Sequence, residues 1–193
     1  METQIKPSDA AEEKVNAGST AKPVAFFGVF SALIAVLTLV SFEQLPEPLS
    51  TINLAPIVVY TTGVMFKPKR AFVTSVVGNF VGEWIRVVIA GEAAYLAIYL
   101  VGIVVARGFE ALLISLLREK NEWLAMVAGG IWEYVGFLIV GSIYFILVLG
   151  WAPEIVIPWY TGTLIDLAFV PVSAVLNKAI RAGFNVEYLD ELI

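Results

Sequence analysis

Long apolar stretches alternate with short polar connections along most of this chain. Six of them can be drawn, at residues 23–42, 50–66, 68–90, 94–116, 123–149 and 156–178. About 20 apolar residues carry an α-helix across the hydrocarbon core of a bilayer. The pattern therefore predicts an all-α integral membrane protein, a six-transmembrane-helix bundle. The basic residues sort on the same frame. Lys6, Lys14 and Lys22 precede the first stretch, and Lys67, Lys69 and Arg70 lie between the second and third. Arg118 and Lys120 lie between the fourth and fifth, and Lys178 and Arg181 at the exit of the sixth. The alternate connections, EQLPEPLS and GWAPEIVIP, carry none. Cytoplasmic loops collect Lys and Arg, so both termini are predicted to be cytoplasmic. Only Arg86 and Arg107 break the pattern.

Composition agrees: of 193 residues, 59% are hydrophobic and 15% charged, and mean hydropathy is +0.85. A soluble domain of this size would expose far too much apolar surface. Residues 1–22 are polar and read as a disordered cytoplasmic tail. Residues 23–182 form the six-helix membrane domain, and 183–193 a short cytoplasmic tail. The first stretch exits through SFEQLPEP, which lacks a small-x-small cleavage site, so it is read as a helix rather than a signal peptide. Without cysteine or histidine, disulfides and the usual zinc sites are excluded. No metal and no cofactor is predicted. There is no basic face for nucleic acid. A nucleophile–base pair, HExxH and GxxxxGK[ST] are all missing from the sequence, so the chain is not read as an enzyme.

Several local patterns carry further expectations. In the first span Gly28, Ala32 and Val36 recur at spacing four, as do Ser31 and Ala35. Small residues four apart make a flat stripe that admits a second helix closely. That helix belongs either to this bundle or to a second membrane protein. The second span, with Pro56 and Gly63, is expected to be kinked or partly re-entrant. The third carries Gly78 and Gly82, another small-xxx-small pair. Glu83 with Arg86, and Arg107 with Glu110, are spaced for i,i+3 ion pairs.

Glu83, Glu133 and Asp166 fall within apolar spans. An ionised side chain at bilayer depth costs at least ~2.5–3.5 kcal/mol, so these acids must be paired, protonated or turned to a wet interior. Glu133 shares a helical face with Gly129, Gly136 and Tyr144, and Asp166 shares one with Trp159. The small residues leave room beside the acids, and the aromatics lie toward the outer surface. An outer-half site for a small aromatic molecule is expected, bounded by Glu133, Asp166, Trp159 and Tyr144, with Tyr99 and Glu83 as contributors. The same acids would serve as structural ion pairs, and the aromatics as an interfacial belt, if no ligand binds there.

The chain resembles the substrate-binding S component of energy-coupling factor (ECF) vitamin transporters. The resemblance lies in FSALIAVLT of the first span, in GVMFKPKRAFVTSVVGNFVGE across the second-to-third hairpin, and in GTLIDLAFVPVSAVLNKAIR at the close. Ala71 and Asn79 stand where that family often has Gly and Asp. The resemblance implies a prokaryotic cell-membrane protein that binds a vitamin-like small molecule from outside. It further implies docking on a transmembrane coupling protein powered by two ATPase subunits, through Gly28, Ser31, Ala32 and Ala35. Acids beside aromatics favour a cationic ring such as thiamine or its pyrimidine precursor, then riboflavin. Carboxylates such as biotin rank lower. The alternative is a stand-alone proton-coupled secondary transporter with Glu133 and Asp166 as its relay.

Overall fold

The computed structural model describes residues 24–42, 52–90 and 96–183. Six helices run through them. α1 is Val24–Leu39 and α2 is Ala55–Met65, and α3 is Pro68–Ala90. α4 joins Leu96–Gly102, a π-helical stretch Ile103–Gly108, and Phe109–Leu117. α5 is Glu122–Val148, π-helical from Ser142 onward. α6 is Pro153–Gly183, with a 3-10 stretch at Gly162–Phe169. Among the described residues, α3 to α6 are long and apolar enough to cross a membrane, and α1 and α2 are shorter apolar helices. The six-helix all-α membrane bundle expected from the sequence is the architecture found. The tail at 1–22, the tail at 183–193 beyond Gly183, and the outer connections at 43–50 and 91–93 lie outside the described residues.

The second apolar stretch is a correction to the sequence reading. It does not form a helix over 50–66. Asn53 Oδ1 accepts from the Ala55 amide at 3.0 Å, and proline stands in the first turn. A side-chain oxygen on an orphan amide and a proline without an N–H both mark a helix start. The eleven residues of α2 rise about 16 Å, roughly half of a ~30 Å core. Before its N-terminal end the chain forms a two-residue antiparallel ribbon, β1 (Ser41–Phe42) with β2 (Ile52–Asn53). β2 packs against the 3-10 stretch of α6. At the other end Arg118 Nη1 donates to Val64 O at 2.7 Å and Phe66 O at 2.9 Å. A basic side chain there satisfies carbonyls that the helix leaves open.

The irregular stretches of α4 and α6 have local causes. Pro171 has no amide to donate and its ring crowds the carbonyl four residues back, so the α-ladder cannot run unbroken into the 3-10 stretch. Pro158 lies inside the helical turn before that stretch, within Pro153–Thr161. On α4, neighbouring helices supply donors to carbonyls of the π-helical stretch. Trp132 Nε1 reaches Val105 O at 3.0 Å, and Ser75 Oγ reaches Arg107 O at 2.8 Å. Lipid would leave such groups unsatisfied, so only protein-facing donors sustain them.

Close packing at glycines draws the helices together. A Cβ at Gly78 would stand 2.6 Å from Ile34 Cβ, and one at Gly82 2.7 Å from Ala35 O. Ser31 Oγ donates across the same seam to Thr74 O at 3.3 Å. The four residues expected to dock divide between two faces of α1. Ser31 and Ala35 are buried against α3, because the two small stripes of α1 point different ways on a 3.6-residue period. Gly28, Ala32 and Val36 are exposed on the outside of the bundle. Ala35→Leu should therefore force α1 off Gly82 and cost about 1–3 kcal/mol, whereas Ala32→Leu leaves stability unchanged. Thermal unfolding of the two variants in detergent checks this.

Candidate functional site

The α4 π-helical stretch presents Arg107, and Phe109–Leu117 presents Glu110 three residues on. Glu133 projects from α5 and Asp166 from the 3-10 stretch of α6. All four meet in the bundle interior. Arg107 Nη1 donates to Glu110 Oε2 at 3.3 Å, and Nη2 donates to Asp166 Oδ2 at 3.1 Å. Nη2 also lies 2.8 Å from Glu133 Oε1. Each of the four is almost wholly buried: Glu110 and Glu133 are 0% exposed, Asp166 4% and Arg107 5%. The hydroxyl of buried Tyr60 on α2 comes up against Gly130, one turn from Glu133. A guanidinium suits this centre because its donors form a rigid fork and its charge is permanent.

Nearby, aromatic rings and charges lie on α3 to α6. Phe137 of α5 and Tyr160 of α6 are stacked, with centroids 6.3 Å apart and planes 10° from parallel. The Arg107 guanidinium carbon is 5.8 Å from the Phe137 centroid. Tyr160 and Tyr99 are within electrostatic reach of each other. Tyr99 in turn lies 5.3 Å beneath the guanidinium of Arg86. Arg86 Nε lies 3.1 Å from each carboxylate oxygen of Glu83.

The expected site residues thus divide. Glu133 and Asp166 come together, but on Arg107. Glu83 and Tyr99 come together on Arg86. Tyr144, expected on the face of Glu133, packs edge-on against Phe145 at 5.2 Å. It lies in the π-helical end of α5. The backbone of Trp159 belongs to α6, and its side chain lies outside the described residues. The room expected beside the acids is also corrected. A Cβ at Gly129 would meet Ile114 at 2.5 Å, and one at Gly136 would meet Ala106 Cα at 2.8 Å. Those glycines serve the approach of α4 to α5.

Residues 18–180 match the family model described as the ECF-type riboflavin transporter, S component. The chain belongs to that family. No curated protein and no solved structure matches it. An S component is the membrane substrate-binding subunit of an ECF importer, and the helix count and the buried charges now have that setting.

Arg107 as the common partner of this S component's acids was missed in the sequence, although a signal for it existed. Of the twelve basic residues only Arg86 and Arg107 lie inside spans away from the basic connections at their ends. Arg86 is taken by Glu83 at i,i+3, which leaves Arg107 as the one intramembrane cation for Glu133 and Asp166. Phe137 and the stacking of Tyr160 had no such signal, because ring geometry is set by how α5 and α6 cross. Arg107→Met should destabilise the protein by about 3–5 kcal/mol, since it strands buried acids without a cation. Adding Glu110→Gln, Glu133→Gln and Asp166→Asn should restore much of that loss. Thermal melts of both variants against wild type measure the difference.

Proposed function

We propose that this S component binds riboflavin, or an uncharged flavin of the same type, from the outer side of the membrane. It then delivers the vitamin after docking on a transmembrane coupling protein driven by two ATPase subunits. The observation that carries the substrate assignment is the engagement of the acids. Glu133 and Asp166 were the reason to favour thiamine, and both already face Arg107, at 2.8 and 3.1 Å. A cationic ligand would meet acids that hold a resident cation, and would add like charge beside it. An uncharged aromatic vitamin needs no counter-charge and draws on stacking and apolar burial instead. The riboflavin description of the matching family supports the same choice.

In this reading the pocket lies on the outer side of the ionic cluster. Glu133 and Asp166 form its floor through Arg107 rather than contacting the ligand as free charges. Tyr99, with the Glu83–Arg86 pair, belongs to its wall, and Tyr144 and Trp159 belong to the outer ends of α5 and α6. The docking face is the exposed stripe Gly28, Ala32 and Val36 of α1. A stripe of small residues gives a partner helix close van der Waals contact where lipid offers no hydrophobic drive.

Titrating the purified full chain in detergent with riboflavin should quench flavin fluorescence to saturation. Thiamine or biotin at about tenfold excess should leave the curve unchanged, which requires at least ~1.4 kcal/mol of discrimination. Ala32→Leu should bind riboflavin as wild type does, yet fail to co-purify with the coupling protein. Preferential thiamine binding would overturn the substrate assignment. Riboflavin uptake by the chain alone in liposomes, without ATPases, would overturn the subunit role in favour of a self-sufficient transporter.

A further inference from the structure

We infer that the Phe137–Tyr160 ring pair is the platform on which the substrate's planar heterocycle stacks, and that Gly141 is the positioning residue that seats Tyr160. The inference rests on the flavin reading above and assigns residues to it.

Backbone proximity is the first argument. A Cβ at Gly141 would lie 2.0, 2.3 and 2.4 Å from three atoms of the Tyr160 side chain. Real Cβ atoms do not come so close, so the ring lies flush against the α5 backbone only because position 141 has no side chain. On the α4 side, a Cβ at Gly102 would stand 3.1 Å from the Phe137 ring. The two rings are thus held between helices by close backbone approach, and held nearly parallel, 10° apart. Their 6.3 Å centroid separation falls within the range of favourable offset stacking.

Exposure is the second argument. The ionic cluster is almost wholly buried, whereas Phe137 and Tyr160 are both only partly buried. Phe137 follows Glu133 by one turn along α5, and Tyr160 precedes Asp166 along α6. On the predicted topology both therefore stand to the outer side of the charges, where a ligand from outside arrives.

Charge is the third. Arg107 lies over Phe137 at 5.8 Å, so the platform is anchored to the permanent cation of the cluster. Arg86, farther along the same group of side chains, is engaged by Glu83. The platform is aromatic and its flanking charges are paired. That combination suits an electron-poor, uncharged, planar ring stacked on the electron-rich phenol of Tyr160, and a flavin tricycle is such a ring.

The test is riboflavin titration of the full chain in detergent, read by flavin fluorescence, on Tyr160→Ala, Tyr160→Phe, Gly141→Ala and the Gly141→Ala/Tyr160→Ala double variant. Unfolding temperatures of each show that the fold is kept. Tyr160→Ala should weaken binding about tenfold or more, and Tyr160→Phe should stay within about threefold of wild type. Gly141→Ala should weaken binding comparably to Tyr160→Ala. The double variant should be no weaker than Tyr160→Ala alone, because glycine acts only through the ring. Wild type that binds riboflavin alongside a Tyr160→Ala variant that binds it equally well overturns the platform and leaves the flavin reading standing. Additive losses in the double variant overturn the seating role of Gly141. Wild type that leaves riboflavin unbound sinks the flavin reading and the platform with it.

Discussion

Four ionisable side chains, carried by three helices, must be brought into lipid together, and much of the bundle's inner geometry follows from that constraint. Each ionised group alone would cost at least ~2.5–3.5 kcal/mol at the centre of a membrane. Arg107, Glu110, Glu133 and Asp166 avoid much of this by meeting one another. The meeting demands that α4, α5 and α6 approach closely at one depth. Gly129 and Gly136 let α5 press onto Ile114 and Ala106 of α4. The π-helical stretch of α4 and the 3-10 stretch of α6 carry Arg107 and Asp166 at the angles the cluster requires. Removing one partner of such a buried set is far more damaging than replacing the whole set with neutral groups.

The departures from regular helix gather around the same level. α2 begins only at Ala55, where Asn53 Oδ1 takes the Ala55 amide, so a β-ribbon rather than a helix meets α6 there. Carbonyls of the π-helical stretch take donors from Ser75 and Trp132. Irregular backbone survives at membrane depth only where protein covers it. An S component has to bind and release a small molecule within a membrane-embedded bundle, and the irregular segments cluster beside the rings and charges assigned to that task.

α1 divides its labour by face. Ser31, Ile34, Ala35 and Thr38 receive Gly78 and Gly82 of α3, while Gly28, Ala32 and Val36 look outward. Small residues are used twice on one helix, once to close the bundle and once to keep a flat external surface. Helix–helix association in lipid depends on how near two backbones can come, so the same residue type serves both ends.

The all-α class and the six apolar stretches were legible from hydropathy and the placement of Lys and Arg alone, because lipid imposes the same length and charge rules on every spanning helix. The two i,i+3 ion pairs, Glu83–Arg86 and Arg107–Glu110, were legible too, since helical spacing makes such residues neighbours whatever surrounds them. The requirement that Glu133 and Asp166 find partners followed from the cost of charge in lipid. Which protein partner they found was decided by helix crossing, and it was an arginine on a third helix. The same holds for the two stripes of α1. Periodicity identified both, and only packing told which one faces α3. The Phe137–Tyr160 stack was invisible in the sequence for one reason. A 3.6-residue period describes a helix that stays α, and contacts between helices depend on local π and 3-10 turns and on glycine approaches that only the assembled bundle determines.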